Sequence, residues 1–168
     1  MQTFVAYASS GADDGRWAAG AGRVERHYAG LAGGPLRHDV AESDRRGLHV
    51  WEAHSGRRRW PMWQQERDLA VATVHTPLDY ESLVGEIPPE QAPVPLARRL
   101  VAQPHAVLEL GGPFVLAALD PAGLALFTDA VGLGRLFELR LPDGWVWSNR
   151  PTAACLFAAL PVRADRRG

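Results

Sequence analysis

Apolar residues in this chain gather into short runs, and clusters of Gly, Pro, Asp and Ser separate them. "TFVAYA" (3–8) is an apolar, β-prone run that stops at the turn-formers "SSGADDG", which predicts a strand close to the N-terminus. From about Asp14 to Ala29 the period changes to helical: Trp17, Ala21, Val24 and Tyr28 fall on one face, Asp13 and Asp14 are placed to cap it, and "GLAGGP" ends it. "GLHVWEAHSG" and "RDLAVATVHTP" read as strands separated by "RRRWPMWQQE". The segment from Pro88 to Pro95 holds four prolines and closes an excursion. Pro95 then fits the first turn of a helix whose apolar stripe is Leu96, Leu100 and Val101.

The second half is denser. "FVLAALD", "LALFTD", "LFELRL" and "WVWS" follow one another through "DPAG", the Gly-containing corner "AVGLGR", and "PDG". Connections this short predict neighbouring antiparallel strands, because a parallel pair needs a crossover of a dozen or more residues. The first two runs are apolar nearly throughout, so both of their faces are expected to be covered. Ser148 and Asn149 are expected to cap a helix opened by Pro151, "PTAACLFAAL", with Leu156 and Leu160 pointing inward. Antiparallel sheet with helices from both ends of the chain implies a layered α+β fold. At 168 residues the chain is read as one domain, with 161–168 a frayed tail.

Composition narrows the partners. The net charge is -1 and the basic residues, all arginine, are balanced by acids, so neither nucleic acid nor an anionic membrane is expected as the main partner. Arginine without lysine, and a single Ile, fit a GC-rich genome. Cys155 is the single cysteine, which excludes an internal disulfide and a Cys-rich metal site and fits a reducing cytoplasm. The N-terminus lacks a basic region followed by a sustained apolar stretch, and no segment reaches the ~20 apolar residues of a membrane helix. A cytoplasmic protein without a membrane anchor is the expectation.

"GPFVLAALDPAGLALFTDAVGLGRLFEL" and "GWVWSNRPTAACLF" carry a family resemblance. They are similar to the second half of the glutamine amidotransferase domain at the head of asparagine synthetases, β-lactam synthetases and lasso-peptide cyclases. Asp120, Asp129, Gly132, Arg135, Leu136, Phe137 and "WSNRP" occupy the positions of that family's strand end, its R-D-x-x-G-x-x-P-L corner and its F-A-S-E entry to a helix. The match runs from about Gly112 to Leu160, and "VATVHTPLDYESLVG" resembles the upstream strand and turn, with Asp79 and Tyr80 ahead of Leu83. The resemblance implies an N-terminal-nucleophile (Ntn) hydrolase fold, an αββα sandwich of two antiparallel sheets between helical layers.

It also implies a chemistry this chain lacks. Active members attack the glutamine amide with the cysteine that follows the initiator Met, use its α-amino group as base, and form the oxyanion hole with an Asn-Gly pair. Gln2 stands at the cysteine position and has no nucleophilic atom. His75 and Thr76 stand near the Asn-Gly position, where Pro77 removes a backbone donor. The positions Gln2, His75 and Thr76 are therefore vestigial.

Other candidates divide between a bland role and a sharp one. Cys155 sits in an Ala/Leu helix face and reads as a small buried apolar residue before it reads as a nucleophile. Thr3 would be an N-terminal nucleophile only after loss of Met1 and Gln2. His27, His38, His49 and His54 form no metal-ligand spacing, and no cofactor is expected. "GLGR" and "GGP" read as turns, not phosphate loops, and Asp129 and Arg135 as fold-stabilising. Trp60 and Trp63 beside "GRRR" are candidates for an exposed partner contact.

The expected function is thus a non-catalytic amidotransferase-like scaffold or binding module. By resemblance, its partner is an ATP-dependent, amide-forming ligase in a biosynthetic pathway, and homo-oligomers are a further option. An Ntn-type amidohydrolase with another nucleophile, and a sensor binding a small molecule or peptide in the vestigial glutamine pocket, are the alternatives.

Overall fold

The computed structural model describes residues 1–11, 15–43, 45–53 and 60–162. Two antiparallel sheets organise them. In the first, β1 (Gln2–Ser9) lies between β3 (Arg46–Ala53) and β9 (Gly144–Ser148), with β2 (Leu36–Ser43) outside β3 and β8 (Phe137–Leu141) outside β9. In the second the order is β4 (Trp63–Glu66), β5 (Leu69–Val74), β6 (Val115–Leu119), β7 (Leu124–Thr128). The helices are α1 (Arg16–Ala32), α2 (Glu81–Val84), α3 (Pro93–Ala102) and α4 (Pro151–Phe157), with 3-10 turns at Pro89–Gln91 and Pro104–Glu109. None of the described helices is long and apolar enough to cross a membrane.

Strand alternation sorts the apolar side chains into layers. Phe4 and Ala6 of β1, Leu48 and Val50 of β3, Ala72 and Val74 of β5, and Val115, Ala117 and Leu119 of β6 form the core between the sheets. The opposite face of β1 and β3 packs Val5, Tyr7 and Trp51 under Trp17, Ala21, Val24 and Tyr28 of α1 and Ala153, Ala154 and Phe157 of α4. On the outer face of the second sheet, Leu69, Val71, Leu116 and Ala118 meet Val94, Leu96, Ala97 and Leu100 of α3. The layers run helix, sheet, sheet, helix, which answers to the α+β expectation at its coarse level.

Local chemistry accounts for most boundaries. The four residues expected on the inner face of α1 are all buried, and the helix ends at Gly33 (φ 69°), whose N–H reaches Ala29 O. Asp13 and Asp14 lie outside the described residues, and the residue ahead of the helix is Gly15 (φ 84°). β1, β3, β5, β6 and β9 coincide with predicted runs. β2 and β4 do not: "LRHDVAES" and "WQQE" are edge strands rich in polar residues, and each forms because a buried neighbour offers it a ladder.

Several expectations are corrected. "LALFTD" and "LFELRL" are not neighbours, because the corner 130–136 carries the chain from β7 in the second sheet to β8 in the first. β7 is an edge strand and only half-buried, while β6 is buried on both faces. Pro95 falls in the first turn of α3 as expected, but Val101 points to solvent. α4 ends at Phe157, which with Ala153 and Ala154 forms its inner face; Leu160 lies beyond the helix and is exposed. The "RADRRG" tail, 163–168, lies outside the described residues.

Candidate functional site

One candidate functional site is a cleft of about 640 Å³ at one end of the two sheets. Its walls come from distant parts of the sequence: Gln2 at the start of β1, His75 just after β5, Leu133, Gly134 and Arg135 of the corner, and Asn149 to Thr152 at the entry to α4. Val74, Val115 and Phe137 supply the apolar part, and Tyr28 of α1 closes one side.

The N-terminal wall is tied to the C-terminal one. Asn149 extends the β1–β9 ladder past its last backbone pair, Val5↔Ser148: its Oδ1 accepts the Phe4 N–H at 2.9 Å and its Nδ2 donates to Gln2 O at 3.1 Å. Arg150 Nε donates to the same Gln2 carbonyl at 3.3 Å. The Gln2 side chain donates from Nε2 to Glu52 Oε1 at 3.1 Å. Ser148 Oγ donates to Phe4 O and accepts the Arg150 N–H. Ser148 and Asn149 therefore fasten β1 to β9 and make no side-chain cap on α4, whose N-terminal cap residue is Arg150.

A buried carboxylate shapes the corner. Asp129 Oδ1 accepts the Leu133 N–H at 2.9 Å, and Oδ2 accepts N–H groups from Gly134 and, at 3.4 Å, Phe114. Burial works against ionisation of Asp129, but these backbone donors outweigh it and hold its pKa below the usual carboxylate value. Gly134 is required here, since a Cβ would overlap the Phe114 carbonyl and crowd Asp129. With the loop fixed this way, Leu133, Gly134 and Arg135 face the cleft. Asp129 is fold-stabilising as expected. Arg135 is exposed on the cleft, makes no hydrogen bond or ion pair among the described residues, and also borders a shallower recess with Thr128, Gly132 and Leu136.

Of the three positions that the resemblance picks out, Gln2 and His75 are brought together in the cleft, although 73 positions separate them in the sequence. His75 adopts the left-handed conformation, φ 64°, which is uncommon outside glycine and occurs where the surroundings enforce it. Thr76 is exposed beside it and does not line the cleft. Thr3 pairs with Trp51 on the helix-facing side of β1, the face opposite Gln2; its Oγ1 is fully buried without a partner. Cys155 is half-buried on α4 and outside the cleft.

The expected exposed contact is corrected for Trp60. Trp60 is buried, donates from Nε1 to Thr73 Oγ1 at 2.8 Å, and meets Tyr80 edge-on, so its indole belongs to the core. Trp63 is half-buried against the core between the sheets. The arginines of "GRRR" and His54 lie outside the described residues.

The residues that sequence reasoning missed as site residues are Arg150, Asn149, Tyr28 and Arg135. Tyr28 was legible only as a core position of α1. Burial raises its pKa, and the Arg150 charge partly offsets this.

A second polar cluster lies beneath α1 and α4. His38 Nε2 and His49 Nδ1 are 3.1 Å apart, and His49 Nε2 is 3.1 Å from Glu42 Oε1, which also accepts from Tyr7 Oη at 3.4 Å. Both rings stack with Trp51. Burial, reinforced by repulsion from His38, pushes His49 down to about 3, so it is neutral at pH 7. The contact with Glu42 is accordingly a neutral N–H···carboxylate bond, not an ion pair, and the consistent assignment has His38 donating to His49 and His49 donating to Glu42. Among the described residues no group of three or more His, Cys, Asp or Glu is arranged to hold a metal ion. Compared with known proteins, the chain matches no family model and no curated sequence.

Proposed function

We propose that the protein is a non-catalytic, glutamine-amidotransferase-like module of the Ntn-hydrolase type that keeps its cleft as a binding site and supports an ATP-dependent, amide-forming ligase. One observation carries the reading: Gln2 lines the cleft at the position the resemblance gives to the nucleophile, with its side-chain amide held by Glu52. A carboxamide there supplies neither a thiolate nor a general base. His75, near the position of the oxyanion pair, opens on the same cleft. The Thr3 amidohydrolase has little support, since the Thr3 hydroxyl is buried on the other face of β1.

Two measurements test the two halves of the proposal. Incubation with L-glutamine, and separately with a diazoketone analogue of glutamine, is expected to release no ammonia and to leave the intact mass unchanged. Turnover or a covalent adduct overturns the non-catalytic reading. For the ligase, the tagged protein is recovered from its native lysate and the retained fraction assayed for ATP–pyrophosphate exchange. Exchange activity that elutes with the protein is expected, and a retained fraction without it overturns the partnership.

A further inference from the structure

The charges of the cleft are one-sided. Arg135 and Arg150 line it, and among the described residues no Asp or Glu does; Glu52, engaged by Gln2, stays outside. The two arginines are also placed symmetrically. Phe137↔Ser148 is the last pair of the β8–β9 ladder, and each arginine lies two residues past it, one on either side of the open strand ends. Two exposed guanidinium groups bordering one cleft make it locally positive. Among the described residues Arg135 finds no carboxylate, and Arg150 commits Nε alone, to the Gln2 carbonyl. A guanidinium has five N–H donors in a planar fork that matches a carboxylate. Neutral hydroxyls of Tyr28 and Thr152, and the ring of His75, complete the polar wall beside an apolar floor. The volume, about 640 Å³, falls within the roughly 300–1,000 Å³ of small-molecule sites.

From this geometry we infer that the cleft is a binding site for a small organic anion carrying carboxylate groups and no free ammonium group, such as a dicarboxylate or an N-acylated acidic amino acid. Free glutamine fits it poorly. Its α-carboxylate would be met by an arginine, but its α-ammonium would enter a cleft with two cations and, among the described residues, no acid to receive it. The inference rests on the cleft being the module's binding site, and not on the ligase partnership or on the absence of glutaminase activity, so it can fail while those stand.

The test is a titration of the full chain at pH 7, followed by calorimetry and by amide shifts of Gly134, Arg135 and Arg150. The probes are glutarate, N-acetyl-L-glutamate, L-glutamine and inorganic phosphate. Glutarate or N-acetyl-L-glutamate is expected to saturate with a sub-millimolar Kd and to move those amides, with L-glutamine at least about tenfold weaker. Arg135→Gln, at an exposed position without a partner among the described residues, is expected to weaken the dicarboxylate by about tenfold or more, and Arg135→Lys to recover most of it. Arg150→Gln is expected to weaken it further. The inference is overturned if neither carboxylate moves the cleft amides, if glutamine binds as tightly as they do, or if Arg135→Gln leaves affinity unchanged. Phosphate binding more tightly than both carboxylates overturns the carboxylate assignment.

Discussion

Acidification from pH 7 to pH 5 should expose His49 as a point of weakness. In the folded chain this imidazole is neutral and hydrogen-bonded through both nitrogens, with a pKa of about 3 against 6.5 for a free side chain. The unfolded chain therefore binds a proton that the folded chain refuses. Stability from this group is fully present above about pH 6.5 and is lost progressively as the pH falls from 6.5 towards 3. Between pH 7 and 5 the linkage amounts to about 2 kcal/mol, since 1.36 kcal/mol accompanies each pH unit below the unfolded pKa. His38, whose pKa is also lowered by burial, acts in the same direction. The assay is urea unfolding of the native protein and of His49→Gln at both pH values. The variant starts less stable, because it disturbs Glu42 and His38, but should lose about 2 kcal/mol less than the native chain on acidification. Identical losses in the two proteins would refute the reasoning and place the acid sensitivity elsewhere.

Other outcomes follow from packing and hydrogen bonds. Gly20→Ala puts a methyl into the Phe157 carbonyl where α1 crosses α4, and should cost about 2 kcal/mol by thermal or urea unfolding. Trp60→Phe removes the Nε1–H donated to Thr73 inside the core and should cost about 1–2 kcal/mol in the same assay. Leu100→Ala opens a cavity between α3 and the second sheet, with an expected loss of about 3 kcal/mol. Asp129→Ala frees the corner, so amide exchange at Leu133 and Gly134 should rise sharply while β6 stays protected.

How legible this was from the residues depends on where each element gets its stability. β6 and α1 could be read directly, because a continuous apolar run and a clean helical stripe state their own burial. β2 could not: His38, Asp39 and Glu42 give no strand signal, and the segment is extended because β3 hydrogen-bonds it along its length. The change of sheets after β7 escaped for a related reason. Short connections exclude parallel neighbours, but they do not exclude a corner that leaves the sheet, and here the Asp129 carboxylate gathers three backbone N–H groups to make one. Gln2 and His75 were found through the family resemblance, and the fold places both on one cleft. Arg150 and Asn149 were hidden by a plausible local role at a helix entry, since nothing in "WSNRP" announces that its side chains will reach the first residues of the chain. Trp60 misled in the opposite sense, as arginine neighbours and proline suggested surface for a ring that the Thr73 hydroxyl holds inside.

The central place of β1 has a consequence for synthesis on the ribosome. β1 acquires one neighbour when β3 emerges, but its other edge is completed by Gly144–Ser148 and sealed by Asn149. At roughly 5–20 residues per second, about 7 to 29 seconds separate the appearance of Val5 from that of its partner Ser148. During that interval a strand of five buried residues carries a row of unsatisfied amides and carbonyls. The nascent chain is most exposed to wrong pairing through its earliest strand, and a holding chaperone or a translational pause placed before β9 would act on that one edge.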